Sequence, residues 1–155
     1  RAELPDTVFT IVGRSPSKPV LDLARTHSGV TVTGSVDDVR PYMERAAAFV
    51  IPIRIGGGTR LKVYEAMGME IPIISTTVGV EGLPIRDGEE LLVADEPEAF
   101  ARAVVRVLRD PALGQQLART AAERVRRDFG WREVSAKFAA ICRETRAARP
   151  SRAMA

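Results

Sequence analysis

Apolar positions along the chain fall into short runs, separated by stretches that keep a helical rhythm. The runs are Val8–Val12, Val30–Thr33, Ala46–Ile53, Ile71–Ser75 and Glu90–Ala94. Short apolar runs bounded by glycine, proline or aspartate predict buried strands. Between them the spacing predicts a helix from Pro19 to Thr26 with Val20, Leu21 and Leu23 facing inward. A second helix starts at Asp37 or Asp38 as N-cap and runs through Ala47. The stretch from Thr59 opens a short helix carrying Arg60, Lys62 and Glu65. Asp95 with Glu98 three residues on reads as a capping box, opening a helix buried through Ala99, Ala103, Val104, Val107 and Leu108. Asp110-Pro111 opens another, to about Asp128; Phe129-Gly130-Trp131 breaks it, and a last helix runs from about Arg132 to Ala147. Strands alternating with helices predict an α/β fold: a parallel sheet flanked by helices on both faces, with extra C-terminal helices.

The 155 residues suit one domain. We place it at residues 1–147, with 148–155 as a basic flexible tail. The net charge of +3 is mild and only 5% of residues are aromatic, so stacking platforms for single-stranded nucleic acid are not expected. Cys142 is the single cysteine, which excludes an internal disulfide and points to a reducing compartment; His27 is the single histidine. Cys142 reads as a structural thiol and His27 as a helix-end residue. No apolar run approaches a membrane span. Arg143, Arg146, Arg149 and Arg152 form a basic tail, read either as a solvated helix end or as a contact for anionic membrane.

The richest stretch lies between the third and fourth strands. Gly56, Gly57 and Gly58 lack Cβ, so their backbone can take positive φ and approach a ligand closely. Thr59 is a good N-cap, and the turn after it has free N–H groups and the positive end of a helix dipole. Arg60 and Lys62 add cations, whose placement at a helix N-terminus an anion would compensate. The pattern therefore predicts an anion site. Glu65 shares a helical face with Leu61, Gly68 and Met69. Its acceptor-only carboxylate suits either the hydroxyls of a ribose or an ion pair with Lys62. Arg14 is either a phosphate contact or a solvated loop residue, and Glu81 either orients its loop, meets a basic ligand or is solvated.

G-G-G-T-R-L-K-V-Y-E-A-M, followed by P-I-I-S-T-T-V-G-V-E-G-L, resembles the nucleotide-sugar half of family-four (group 1) retaining glycosyltransferases. The resemblance runs from about Val8 to the last helix. It implies a Rossmann-like domain, one half of the GT-B fold, that binds a nucleotide diphosphate sugar donor. Gly56, Gly57, Gly58, Thr59, Arg60 and Lys62 would hold the donor diphosphate. Arg60 and Lys62 would stabilise the leaving group, and Glu65 would take the ribose. Ser35 and Val36 either lie beside the base or make a plain strand-to-helix turn. The reading expects no cofactor and no metal, and finds no general base in the chain.

The resemblance further implies a preceding acceptor-binding domain and a first βα unit, both outside this chain, which begins at Arg1. The chain alone would then bind donor weakly, lack turnover, and self-associate through strand edges left unpaired. The whole protein would be cytoplasmic, at the inner face of a bacterial membrane, serving surface polysaccharide or glycolipid synthesis. Two positions depart from the family pattern. Gly57 stands where many members have a glutamate, and Glu70 where the helix usually ends in glycine. The first keeps a non-catalytic nucleotide- or phosphate-binding regulatory module in view. A dinucleotide-dependent oxidoreductase is disfavoured, because no G-x-G-x-x-G follows the first strand.

Overall fold

The computed structural model describes residues 3–58 and 60–147. Its strands are β1 (Phe9–Ile11), β2 (Val30–Val32), β3 (Phe49–Ile51), β4 (Ile73–Ser75) and β5 (Leu92–Val93). Its helices are α1 (Lys18–Thr26), α2 (Arg40–Glu44), α3 (Leu61–Gly68), α4 (Pro97–Arg109), α5 (Pro111–Phe129) and α6 (Trp131–Ala147). All pairing is parallel, as expected, but the strands form two sheets rather than one: β1-β2 and β3-β4-β5. The registers set Phe9 opposite Val30, Phe49 opposite Ile73, and Ile74 opposite Leu92. The strands are shorter than the apolar runs, because residues such as Ala46, Pro52 and Ile53 extend past the last paired partner.

The core lies entirely around the three-stranded sheet. On one face Ile51 and Ile73 pack with Val63, Ala66 and Met67 of α3 and Ala121 of α5. On the other Ile74 and Leu92 meet Val107 of α4 and Leu117 of α5. The β1-α1-β2 segment differs: among the described residues before Met43, Gly29 alone is buried. Leu21 and Leu23 of α1 are 40% and 42% exposed, contrary to their expected inward face. Among the described residues, neither leucine packs against a buried core cluster.

Helix ends correct several sequence expectations. α2 is only Arg40–Glu44, with Val39 at the N-cap position; Asp38 instead accepts from the Arg40 amide and pairs with its guanidinium at 2.8 Å. Asp110 does cap α5, accepting from Leu113 N at 3.0 Å. Arg143 and Arg146 are exposed on α6, in line with the helix expected to run to Ala147 and with the solvated helix end, while Arg149 and Arg152 lie outside the described residues. Cys142 is exposed on the same helix.

α3 ends in a Schellman turn: Ile71 N donates to Ala66 O and Glu70 N to Met67 O, both at 3.1 Å. That turn needs a left-handed residue, and Glu70 takes φ +56°. A non-glycine residue there costs roughly 1–2 kcal/mol, offset in part by the exposed Glu70–Arg126 ion pair at 2.5 Å. Glu70→Gly should therefore stabilise the fold by about 0.5–1 kcal/mol, raising the Tm by about 2 °C. A lowered Tm in calorimetry would show that the ion pair outweighs the strain.

A further ion pair is buried. Glu90, with its side chain 4% exposed, accepts from Arg124 Nη1 at 2.6 Å. Its other oxygen accepts from Arg86 N at 2.7 Å. The pair ties the turn before β5 to the middle of α5.

Candidate functional site

Parallel pairing places the loops after β3, β4 and β5 on one edge of the three-stranded sheet, where ligands of such sheets bind. β3 stops at Ile51; Pro52 to Ile55 lead into the glycines, and α3 begins at Leu61. Gly58 takes φ +96°, so a side chain there would be strained, whereas Gly57 is not at positive φ. Thr59, the expected N-cap, lies outside the described residues. The N-cap position belongs to Arg60, which stands before the helix rather than within it.

Arg60 is turned inward onto backbone. Its Nη2 donates to Gly56 O at 3.0 Å, Nη1 to Gly57 O at 3.3 Å, and Nε to Val78 O at 3.1 Å. One side chain thus joins the glycine loop to the 3-10 turn Val78–Val80 that follows β4. Lys62 and Glu65 point to solvent and pair with each other at 2.5 Å, their side chains 58% and 47% exposed. Of the two partners open to Glu65 on sequence grounds, the ligand-free chain uses Lys62. An exposed pair of this spacing contributes only a few tenths of a kcal/mol, so a ligand can separate it at small cost. Glu65 does not face the core: Val63, Ala66 and Met67 form the buried side of α3, and Leu61 is 61% exposed.

The turn after β4 is held tightly. Thr76 Oγ1 donates to Ile53 O and accepts from Gly79 N. Ser75 Oγ lies 3.4 Å from Ile51 O and 3.0 Å from Thr76 O. Asp95, beyond β5, accepts from Thr77 N at Oδ1 and from Thr77 Oγ1 at Oδ2, both at 2.7 Å. The Thr77 amide and hydroxyl hold the Asp95 carboxyl below its usual range. Asp95 is therefore not the first member of a capping box: α4 begins at Pro97 with Glu96 at the N-cap position and no side-chain cap. Sequence reasoning missed this role, because a carboxylate one turn before a helix looks the same whether it bends to that helix or to a neighbouring loop.

Between these loops opens a cleft of about 480 Å³, lined among others by Ile53, Arg54, Thr76, Val78 and Asp95. Arg54 and Ile55, which no motif singled out, are exposed beside it, Ile55 by 93%. Their signal was only position, directly between a strand end and the glycines. Ser35 and Val36 follow β2 in the other sheet, next to Gly34 at φ +72°. Among the described residues no hydrogen bond joins them to the glycine loop. Arg14 and Glu81 are exposed loop residues, and His27 caps α1, its Nδ1 2.8 Å from Thr26 Oγ1. No group of three or more histidine, cysteine, aspartate or glutamate side chains that could hold a metal occurs among the described residues. Nor is any described helix long and apolar enough to cross a membrane.

Comparison with known proteins bears on this arrangement. Residues 1–110 match the family described as glycosyl transferases, group 1. The chain is 29% identical over 145 residues to a glycogen synthase of Mycobacterium tuberculosis, covering 88% of this chain and 35% of that protein. It is 31% identical over 106 residues to a lipopolysaccharide core biosynthesis mannosyltransferase of Rhizobium leguminosarum, covering 66% of this chain and 30% of that protein. Among solved structures, a sucrose-phosphate synthase from Thermosynechococcus elongatus superposes with a TM-score of 0.75 at 25% identity, over 90% of this chain and 39% of that one. The chain thus spans about a third of the length of these curated relatives. The structural neighbours are GT-B enzymes, in agreement with the expected α/β class. The chain belongs to the group 1 glycosyl transferases.

Proposed function

We propose that this chain is the donor-binding domain of a retaining glycosyltransferase, which moves a sugar from a nucleotide diphosphate to an acceptor held by another domain. The observation that carries the reading is the placement of Lys62 and Glu65. They stand side by side on the exposed first turns of α3, directly after the glycine loop, at the carboxyl edge of the sheet. A diphosphate beside a ribose meets that pair with matching polarity: phosphate oxygens on the Lys62 ammonium, ribose hydroxyls on the Glu65 carboxylate. Donor binding would then split one weak ion pair into two charge-assisted contacts.

Transfer leaves negative charge on the departing diphosphate. The glycine-loop amides, Lys62 and the remaining N–H groups of Arg60 would stabilise it, and the reading assigns that task to them rather than to a metal ion. Arg60 serves the same end by holding Gly56 and Gly57 through their carbonyls. Ser35 and Val36 remain the loop we assign to the base. The sugar side lacks the glutamate that many relatives have at the position of Gly57, so its contacts would come from elsewhere, with Arg54 and the cleft nearest. The lipopolysaccharide mannosyltransferase among the relatives supports a role in bacterial surface glycan or glycolipid assembly, which would place the whole protein in the cytoplasm or against the inner membrane face.

Calorimetric titration with UDP, GDP, ADP and their sugar conjugates tests the reading. One nucleotide should bind saturably, and Glu65→Ala should weaken it about ten- to a hundred-fold, the loss expected for hydrogen bonds to a charged group. Unchanged affinity in the variant would leave an anion site but remove the ribose role. Tight binding without sugar transfer by the longer protein would instead favour a regulatory nucleotide-binding module.

A further inference from the structure

The three loops at the site edge are joined by one continuous line of hydrogen bonds. It starts beyond β5, where both Asp95 oxygens accept from Thr77. The Thr77 amide and hydroxyl fix the start of the 3-10 turn, and the next residue, Val78, presents its carbonyl to Arg60 Nε at 3.1 Å. Arg60 then holds the carbonyls of Gly56 and Gly57. The glycine loop itself has little else to fix it: among the described residues, no side chain packs closer than 3.6 Å to where a Cβ would stand at Gly56, and none within 4 Å at Gly57 or Gly58.

We propose that Asp95 is a positioning residue for the glycine loop, acting through Thr77, the Val78 carbonyl and the Arg60 guanidinium. As a substrate-site role this rests on the donor-binding reading above, while the mechanical coupling stands without it. A loop of three glycines has more backbone freedom to lose than any other sequence. Fixing it before ligand arrives lowers the entropic cost of binding. Arg60 can do so only while its own anchor, Val78, stays in place, and Asp95 is the charged group that holds the residue preceding that anchor. The bonds to Asp95 are charge-assisted, hence stronger than a neutral threonine contact would be. The glycine loop and the segment after β5 lie about 40 residues apart in sequence, a separation that no motif reading would bridge.

The test is a double-mutant cycle on the ligand-free chain, read by nitrogen-15 relaxation at Gly56, Gly57 and Gly58. Wild type should show order parameters near those of rigid backbone, about 0.85, and Asp95→Ala should lower them toward about 0.6. Arg60→Lys should do the same, because lysine cannot span three carbonyls. In the Arg60→Lys background Asp95→Ala should add nothing, since its route to the loop is already cut. A merely structural role for Asp95 predicts additive effects instead, or unchanged glycine order parameters, and either result overturns the proposal. Should Asp95→Ala fold poorly, Thr77→Val removes the hydroxyl bond to Asp95 while keeping the amide one, so it should lower the glycine order parameters by a smaller amount, and Thr77→Ser should keep wild-type values. Pyrophosphate titration supplies the site readout, with affinity expected to fall about ten-fold in Asp95→Ala, and the double variant expected to bind no more weakly than Arg60→Lys alone. If wild type binds neither pyrophosphate nor nucleotide, the donor-binding reading fails, while the order parameters still decide the coupling.

Discussion

Replacing Arg124 by methionine should destabilise the fold by about 3–5 kcal/mol, the cost of leaving a buried charge without its partner. Glu90 is that charge: its side chain is 4% exposed, and among the described residues the one side-chain bond it makes besides that to Arg124 is to the Arg86 amide. Methionine keeps most of the volume of arginine, so the loss would come from the charge rather than from a cavity. Arg124 is itself imperfectly satisfied. Among the described residues its Nε has no hydrogen-bond partner, and it stands 3.6 Å from the Asp128 carboxylate. Removing both charges should therefore cost far less than removing one. The double variant Arg124→Met/Glu90→Leu is expected within about 1–2 kcal/mol of wild type, because the desolvation of both ions disappears together. Urea unfolding measures this directly. A slope of about 1–3 kcal/mol/M translates the single-variant loss into a midpoint shift of at least about 1 M. A single variant as stable as wild type would mean that Glu90 finds water or another donor.

Gly79→Ala should be nearly as damaging, by about 2–3 kcal/mol, for a steric reason. The added methyl would sit 2.3 Å from Ser75 Oγ and 3.1 Å from the Ile51 carbonyl oxygen. Ser75 can rotate only by giving up its contacts with the Ile51 and Thr76 carbonyls, and Ile51 is strand backbone with nowhere to go. The turn would have to move instead, taking the Thr76 and Val78 contacts with it. Ser75→Ala in the same chain removes the nearer clash and should recover about half of the loss, although alone it destabilises by about 1 kcal/mol. Equal losses in the single and double variants, compared by denaturant midpoints, would identify Ile51, whose carbonyl oxygen and Cγ2 both lie 3.1 Å from the added methyl, as the whole obstacle.

These two sites also show where sequence reading stops. The strands were legible because β3, β4 and β5 are covered on both sides and are written as unbroken apolar runs. The strain at Glu70 was legible too, since its position follows from where α3 must end. The division into two sheets was not, because an apolar run announces burial but not the neighbour it pairs with. Glycines at 56 to 58 marked the site correctly as a loop on the ligand edge, but the side chains around it depend on partners distant in sequence. Arg60 reads as a free cation until the Val78 carbonyl is brought beside it, and Asp95 reads as a helix cap until Thr77 is. Leu21 and Leu23 failed for the opposite reason: helical periodicity names a face without stating whether anything lies against it.

The uneven distribution of the core has a consequence for how firmly each part of the site is held. Backbone packed among Ile73, Met67 and Leu91, all fully buried, opens only with the molecule as a whole. The β1-α1-β2 segment has no such anchor and opens at a fraction of that free energy. The glycine loop springs from the first kind of structure and the Ser35-Val36 loop from the second. The phosphate end of the proposed donor would therefore meet a surface set in advance. The base would meet one that orders around it, so that discrimination between bases is drawn from the same free energy that closes this segment.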